Sequence, residues 1–337
     1  MKIMREFMFK HQKRCLLFVA LNLITNCFFL QSLQCVGQTP DWANALVMAI
    51  RNSSPLVLEY REISSLAFAA NMAQKEGLRP EDILVAFDID NTIATTIDPL
   101  ASDQCFSEVF KATGRNLDKT LFFYFTRQRQ TKLSPVESEY LQNPILIPRC
   151  FADIIQPLGT LGTIKFLQAF GIKTMGLTAR SKEIIDPTIC QLTEIGIDFT
   201  RYSPSTCEHN FDEPPSTVQI DDKIISIQKD CRYKNGILFC GNNSKGTKLL
   251  EFLGASNYLP KLIIFIDDKL KNITDVKKSI DQFNEARTIQ NRITFLGIRY
   301  SRCDLDVAHF NLNSFMQAIN SALLDLRRSP IPWSVRV

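Results

Sequence analysis

The sequence predicts an α/β fold: a Rossmann-like parallel sheet with helices on both faces. Three observations lead there. Short apolar runs at Ile83–Phe87, Ile172–Leu177, Leu262–Ile266 and Ile293–Ile298 read as strands covered on both sides, because they lack polar alternation. Stretches of helical spacing separate them, and helical crossovers join parallel strands. Polar residues able to do chemistry follow the strand ends, at Asp88, Thr178 and Asp267. A parallel sheet gathers ligands at the carboxyl ends of its strands, so one cleft can collect all three.

The elements follow in order. Residues 1–37 read as an export signal: the basic segment Lys10–Arg14 precedes the apolar run Cys15–Leu30, and a small-residue cleavage site follows Gly37. The competing reading is an uncleaved anchor, since the run approaches the ~20 residues a membrane helix needs. Asn22, Asn26, Gln31 and Gln34 weaken that reading. The expected location is therefore outside the cytoplasm, periplasmic or secreted, with membrane contact only through this segment. Residues 41–77 have helical spacing, broken at Ser53-Ser54-Pro55 and closed by Gly77 and Pro80.

Residues 96–157 lack strand–helix alternation. They hold an aromatic and basic stretch, Phe122–Lys132, and the start of a helix near Ser134-Pro135. A helix over Leu161–Phe170 ends at Gly171, and a second over Asp186–Glu194 ends at Gly196, a suitable left-handed cap. Residues 203–240 read as β-hairpins, with Asn235-Gly236 a strong two-residue turn. Asn243-Ser244 caps a helix over Lys245–Leu253. A polar helix over Asp275–Arg287 and an amphipathic one over Asn313–Leu326 complete the pattern before a tail at 331–337.

The formal net charge of +4 is concentrated at the N-terminus, where residues 1–37 carry five basic residues and one acid. The remainder holds 34 of each sign, which argues against a nucleic-acid surface. An exported chain meets oxidising conditions, and seven cysteines lie beyond residue 37. Counting outward from the Asn235-Gly236 turn sets Cys231 opposite Cys240 at a non-hydrogen-bonded pair, within disulfide reach. A disulfide and two buried thiols both fit that placement. No Cys/His spacing suits zinc.

The densest chemistry lies at Asp88-Ile89-Asp90-Asn91-Thr92. Side chains at i and i+2 of a strand share a face, so two carboxylates leave one strand end together. Buried carboxylates need a partner, a cation or a chemical role. The D-x-D-x-T stretch, then Thr178, then Lys245 at a helix start, then Asp267-Asp268, resembles in kind and order the haloacid dehalogenase-like (HAD) superfamily of phosphoryl-transfer enzymes. The resemblance runs from about Asp82 to Tyr300. Ser102-Asp103-Gln104, Gly176-Leu177-Thr178-Ala179-Arg180 and Lys234-Asn235-Gly236-Ile237-Leu238-Phe239 make the chain look like a subfamily of exported bacterial HAD-like phosphatases.

That resemblance implies a HAD-type core over 38–95 and 158–330, with 96–157 as a cap inserted between the first and second motifs. It implies a magnesium-dependent phosphomonoester hydrolase, with a phosphorylated small molecule or phosphoprotein as substrate. Asp88 would attack phosphorus and carry the aspartyl-phosphate. Asp90 would protonate the leaving group and then activate water. Burial beside other carboxylates is expected to raise its proton affinity, as suits that work near neutrality. Thr178 would hydrogen-bond a phosphoryl oxygen. Lys245 would neutralise the phosphate and hold Asp88, with Lys248 as its rival and the expected surface lysine. Asn91, Ala179 and Arg180 are assigned to substrate binding, though a surface salt bridge is an equal reading for Arg180.

Mg2+ would be held directly by Asp88, Asp267 and the backbone carbonyl of Asp90, with Asp268 ligating through water or orienting Lys245. Capping of the following helix is an alternative role for Asp268. Dehalogenase members lack the second acid, which argues here for a hydrolase or phosphotransferase. Two further readings remain: a secreted effector that dephosphorylates host proteins on tyrosine, and a binding module that keeps the fold without turnover.

Overall fold

The computed structural model describes residues 42–60, 69–96 (apart from 71 and 72), 102–107 (apart from 106), 133–135, 160–220, 223–311 and 317. The expected export signal, most of the 96–157 insert with its aromatic–basic stretch, the helix over Asn313–Leu326 and the tail lie outside these residues. No helix among the described residues is long and apolar enough to cross a membrane.

The first described helix, α1 (Trp42–Asn52), leads into β1 (Leu56–Tyr60). That strand corrects the expectation of helix after Ser53-Ser54-Pro55. Leu56 and Leu58 are half-buried while Val57 and Glu59 are exposed, which is the period of a strand at a sheet edge. Next come β2 (Ile83–Phe87), β3 (Ala94–Thr96), β4 (Leu133–Pro135), α2 (Thr160–Ala169), β5 (Lys173–Thr178) and α3 (Ile185–Glu194). The remaining elements are β6 (His209–Asn210), β7 (Glu213–Ile220), β8 (Lys223–Lys229), β9 (Arg232–Lys234), β10 (Ile237–Phe239), α4 (Lys245–Ala255), β11 (Leu262–Asp267), α5 (Leu270–Glu285), β12 (Thr294–Tyr300) and α6 (Asp304–His309).

Eight strands form one sheet in the order β1-β12-β11-β2-β5-β10-β9-β6. From β1 to β10 every neighbouring pair is parallel, while β9 and β6 add an antiparallel edge. The chain leaves β2 for β5 and β10 on one side, then returns to the other side for β11 and β12. The sheet therefore reverses direction of growth at β2, and crevices open at the carboxyl ends of strands where this happens.

Helices cover both faces. Ile83, Val85 and Phe87 of β2 point into a core shared with α1, α2 and α3 through Leu46, Ile164, Leu167 and Leu192. Leu84 and Ala86 point the other way, onto α4 and α5 through Leu249, Phe252, Ile273, Val276 and Ile280. All five residues of β2 are buried, as the unbroken apolar run required. The expected α/β architecture, mostly parallel with helices on both faces, is present.

Two other expectations change. The helix expected near Ser134-Pro135 is replaced by β4, which pairs antiparallel with β3 through Thr95↔Ser134. Pro135 ends that strand, where its missing N–H costs the ladder nothing. Helix α5 begins at Leu270, five residues before the expected Asp275, because Lys269 and Asn272 bond to the Asp267 carboxylate and draw the chain into a turn at the strand end. Of the two states the sequence leaves open for Cys231 and Cys240, the structure holds the buried thiols.

Candidate active site

The end of β2 and the end of β11 are adjacent in the sheet, registered through Phe87↔Ile266. The Asp88 N–H donates to Ile266 O at 2.9 Å, so the two chains leave the sheet together. Beyond Asp88 the backbone folds into a tight loop, with the Asn91 N–H on Ala94 O at 2.9 Å and Asn91 at φ 58. Asparagine tolerates this left-handed conformation better than most side chains. The Thr92 hydroxyl accepts from the Asp268 N–H at 3.0 Å, tying this loop to the end of β11. These bonds along both strand ends hold Asp88, Asp267 and Asp268 with one carboxylate oxygen each within 4.8 Å of one another.

Lys245, the first residue of α4, reaches into this cluster. Its Nζ donates to Asp88 Oδ1 and to Asp267 Oδ2, both at 2.7 Å. Lys245 is 3 % exposed, Asp88 6 % and Asp267 0 %. The position of the helix start is fixed from outside. Ser244 caps it by accepting from the Thr247 N–H, and its own hydroxyl donates to Asp275 of α5 at 2.8 Å. A Cβ on Gly246 would lie 2.7 Å from the Asp275 carbonyl oxygen, so glycine is what lets α4 approach α5 here. Lys248 is also buried, a correction to the surface lysine expected: its Nζ donates to Phe211 O and pairs with Glu251. It is turned away from Asp88, and Lys245 holds the carboxylates alone of the two.

Asp267 is saturated with donors. Besides Lys245 it accepts from the Lys269 N–H at 2.7 Å and from Asn272 Nδ2 at 2.9 and 3.0 Å. Asp268 is different. It does not cap α5, whose N-cap is Lys269, and its buried Oδ1 has no hydrogen-bond partner. The alternative capping role for Asp268 is thereby set aside.

Burial and the neighbouring Asp267 push Asp88 up to about 7, against the pull of Lys245. Burial, Asp88 and Asp267 push Asp268 up to about 8. Burial opposes the Lys245 ammonium, but Asp267 and Asp88 outweigh it and hold the charge well above the usual lysine range. One ammonium among three carboxylates leaves a net negative pocket. Replacing protons by a hard divalent cation is the natural way to relieve it.

Asp90 departs from expectation. Arg180 grips its carboxylate at two points, NH2 to Oδ1 at 2.7 Å and Nε to Oδ2 at 2.9 Å. The other end of the guanidinium donates to the Thr188 hydroxyl and the Gln191 side-chain amide oxygen Oε1, both on α3. Burial works to raise the Asp90 pKa, yet Arg180 overcomes it and holds the acid below the usual range. Arg180 thus forms a salt bridge, but a buried one to Asp90 rather than the surface bridge or substrate contact expected from the sequence.

The remaining assigned residues lie around this centre. Thr178 ends β5, next to β2, and its hydroxyl accepts from the Arg180 N–H at 3.1 Å. Ala179 is exposed. Asn91 is buried and accepts from Gln104 Nε2 at 3.0 Å. Asp103 pairs with Lys269 at 2.8 Å. The Ser102–Cys105 stretch of the insert therefore rests on the loops after both strand ends. Asn272, Lys269 and the Arg180–Asp90 pair were not assigned from sequence, while Gln104 entered only through the Ser102-Asp103-Gln104 motif. Asn272 lies five positions after Asp267 on the following helix, but nothing local marks it.

A family model described as a protein of unknown function, DUF2608, matches residues 62–327. The chain belongs to the DUF2608 family. The match spans every site residue from Asp88 to Asn272, so the carboxylate cluster lies wholly within the DUF2608 region. No curated protein matches the sequence.

Proposed function

We propose that this DUF2608 protein is a HAD-type phosphatase that hydrolyses phosphomonoesters through an aspartyl-phosphate on Asp88, with Mg2+ as cofactor. The observation that carries the reading is the meeting of Asp88, Asp267 and Asp268, with Lys245 on the first two, at the point where the sheet reverses direction. The donor set fits a hard divalent cation, and the unpartnered Oδ1 of Asp268 is an oxygen the protein leaves unsatisfied. Asp88, Asp267 and Asp268 would hold the cation, with the Asp90 carbonyl as a further oxygen. When bound, it supplies positive charge to the phosphoryl oxygens and keeps Asp88 ionised.

The chain's own groups divide the remaining work. Asp88, at the floor of the crevice, is the nucleophile. Lys245 keeps it oriented and offers charge to the incoming phosphate. The Thr178 hydroxyl and the turn through Ala179 face the same strand-end crevice and donate to phosphoryl oxygens. Asp90, ionised on Arg180, is set to take a proton from the water that attacks the aspartyl-phosphate. Protonating the leaving group requires Arg180 to loosen its grip first. The insert between β2 and β5 acts as a cap: Asp103 and Gln104 bring its first turn against Lys269 and Asn91. The work is carried out after export, outside the cytoplasm.

The test is release of phosphate from p-nitrophenyl phosphate by purified protein. The reading expects turnover that needs Mg2+, stops on chelation and is lost in Asp88→Asn. A folded protein that turns over no phosphomonoester of a broad panel is a binding module instead.

A further inference from the structure

We propose that Cys231 and Cys240, free thiols in this structure, join under oxidising conditions in an intrachain disulfide that closes the β9–β10 hairpin beside the site. The inference stands on the hairpin alone and does not depend on the reaction proposed above. The ladder pairs Lys234↔Ile237, Tyr233↔Leu238 and Arg232↔Phe239, so the next pair outward is Cys231 with Cys240. Their backbone groups turn away from each other. The Cys240 N–H donates to Thr178 O at 2.8 Å, and its carbonyl accepts from Asn243 Nδ2 at 2.6 Å. The Cys231 N–H donates to Asp212 Oδ1 at 3.0 Å, and its carbonyl accepts from the Phe211 N–H at 2.8 Å.

This is a non-hydrogen-bonded antiparallel pair, a kind whose alpha carbons ordinarily lie about 4.5 Å apart with side chains on one face. The span falls within the ~4.4–6.8 Å that a disulfide bridges without moving backbone. Both side chains are 0 % exposed and belong to one core cluster, and the two thiols interact. The other described cysteines, Cys105, Cys190, Cys207 and Cys303, have no such ladder placement.

The bond forms while the hairpin closes, before the core buries the sulfurs. One thiolate attacks a disulfide-bearing oxidant (glutathione disulfide or a thiol–disulfide oxidoreductase) and releases one thiol. The second thiolate displaces the mixed disulfide and releases the other. Two protons and two electrons leave the cysteines, and the oxidant becomes two thiols. The cross-link fixes the residue that holds the Thr178 carbonyl, and so steadies the turn carrying Thr178 and Arg180. It also restricts the unfolded chain, which raises the melting temperature.

The test maps disulfides in full-length protein refolded with reduced and oxidised glutathione, then alkylated and digested with trypsin without reduction. Cleavage after Lys229, Arg232, Lys234 and Lys245 yields Asp230–Arg232 and Asn235–Lys245. The inference expects these two peptides as one species, lighter by two hydrogens than their sum and split by reductant. It also expects wild type to melt about 5 °C higher unreduced than reduced, a gap absent in Cys231→Ala. Alkylated Cys231 and Cys240 after this refolding, or either one linked to a different cysteine, overturns it. The peptide map on wild type decides the matter even where the variant fails to fold.

Discussion

Arg180 and Asp90 form a buried two-point ion pair, at 2.7 and 2.9 Å, between the turn after β5 and the loop after β2. The guanidinium is itself held by Thr188 and Gln191, so α3 fixes the direction of the Asp90 carboxylate. Arg180→Lys cannot keep both contacts, because an ammonium lacks the planar fork. We expect kcat to fall about 10- to 100-fold with KM nearly unchanged, within the range by which proton transfer accelerates reactions. Removing the guanidinium also lets burial raise the Asp90 pKa, so the acid limb of the pH–rate profile moves to higher pH. A large rise in KM with kcat preserved would make Arg180 a substrate ligand.

Protons stabilise the cation-free pocket. Asp88 and Asp268 sit at about 7 and about 8, against an ordinary 3.8. From about pH 4 to about pH 8 the folded protein therefore holds protons that the unfolded chain has released, and stability falls as pH rises. Asp90 is shifted down and Lys245 up, so neither reverses the trend in that window. Thermal melts in chelator are expected to show this decline. Mg2+ takes the place of the protons, so the rise in melting temperature it causes should be larger at about pH 8 than at about pH 6. A Mg2+ effect that does not change with pH would count against a cation among these carboxylates.

Lys245→Ala strips the cluster of its internal cation. Asp88 then lies buried without its ion pair and Asp267 keeps only the Lys269 N–H and Asn272, a situation that costs about 3–5 kcal/mol. Urea unfolding should show a loss of this size, partly recovered in Lys245→Ala/Asp88→Asn because one charge is removed. Equal losses in the single and double variants would mean that the ammonium and the Asp88 carboxylate are not coupled.

Gly246→Ala places a methyl group against the Asp275 carbonyl oxygen and the Ser279 side chain. Overpacking of this kind costs about 1–3 kcal/mol, since α4 has to move off α5. Because Lys245 is the neighbouring residue, activity should fall with stability. Denaturant midpoints and p-nitrophenyl phosphate turnover on the same samples check this, and an unchanged midpoint would show that the helices separate freely.

The central strands were legible because burial on both faces leaves no room for polar alternation, so β2, β5, β11 and β12 stand out as apolar runs. Asp88, Thr178, Lys245 and Asp267 were legible for a related reason: each follows such a run or opens a capped helix, where side chains face the crevice. β1 was not, because its five residues follow a helix and its partner β12 lies far along the chain. The pairing of Leu133–Pro135 with Ala94–Thr96 is likewise set by tertiary contact rather than by propensity. The environment of Asp90 was misjudged because its charge state depends on Arg180, ninety positions away. Lys248 shows the same limit: its side chain is buried where no local pattern announces it, and its ammonium reaches the Phe211 carbonyl.

The most direct test of the account is a crystal structure of the protein grown with magnesium and beryllofluoride, a mimic of a phosphorylated aspartate. The account predicts beryllofluoride on the Asp88 carboxylate, with Mg2+ beside it touching Asp88 and Asp267 and Lys245 on a fluorine. Magnesium bound elsewhere, or beryllofluoride that ignores Asp88 while the carboxylates stay on Lys245, would contradict it.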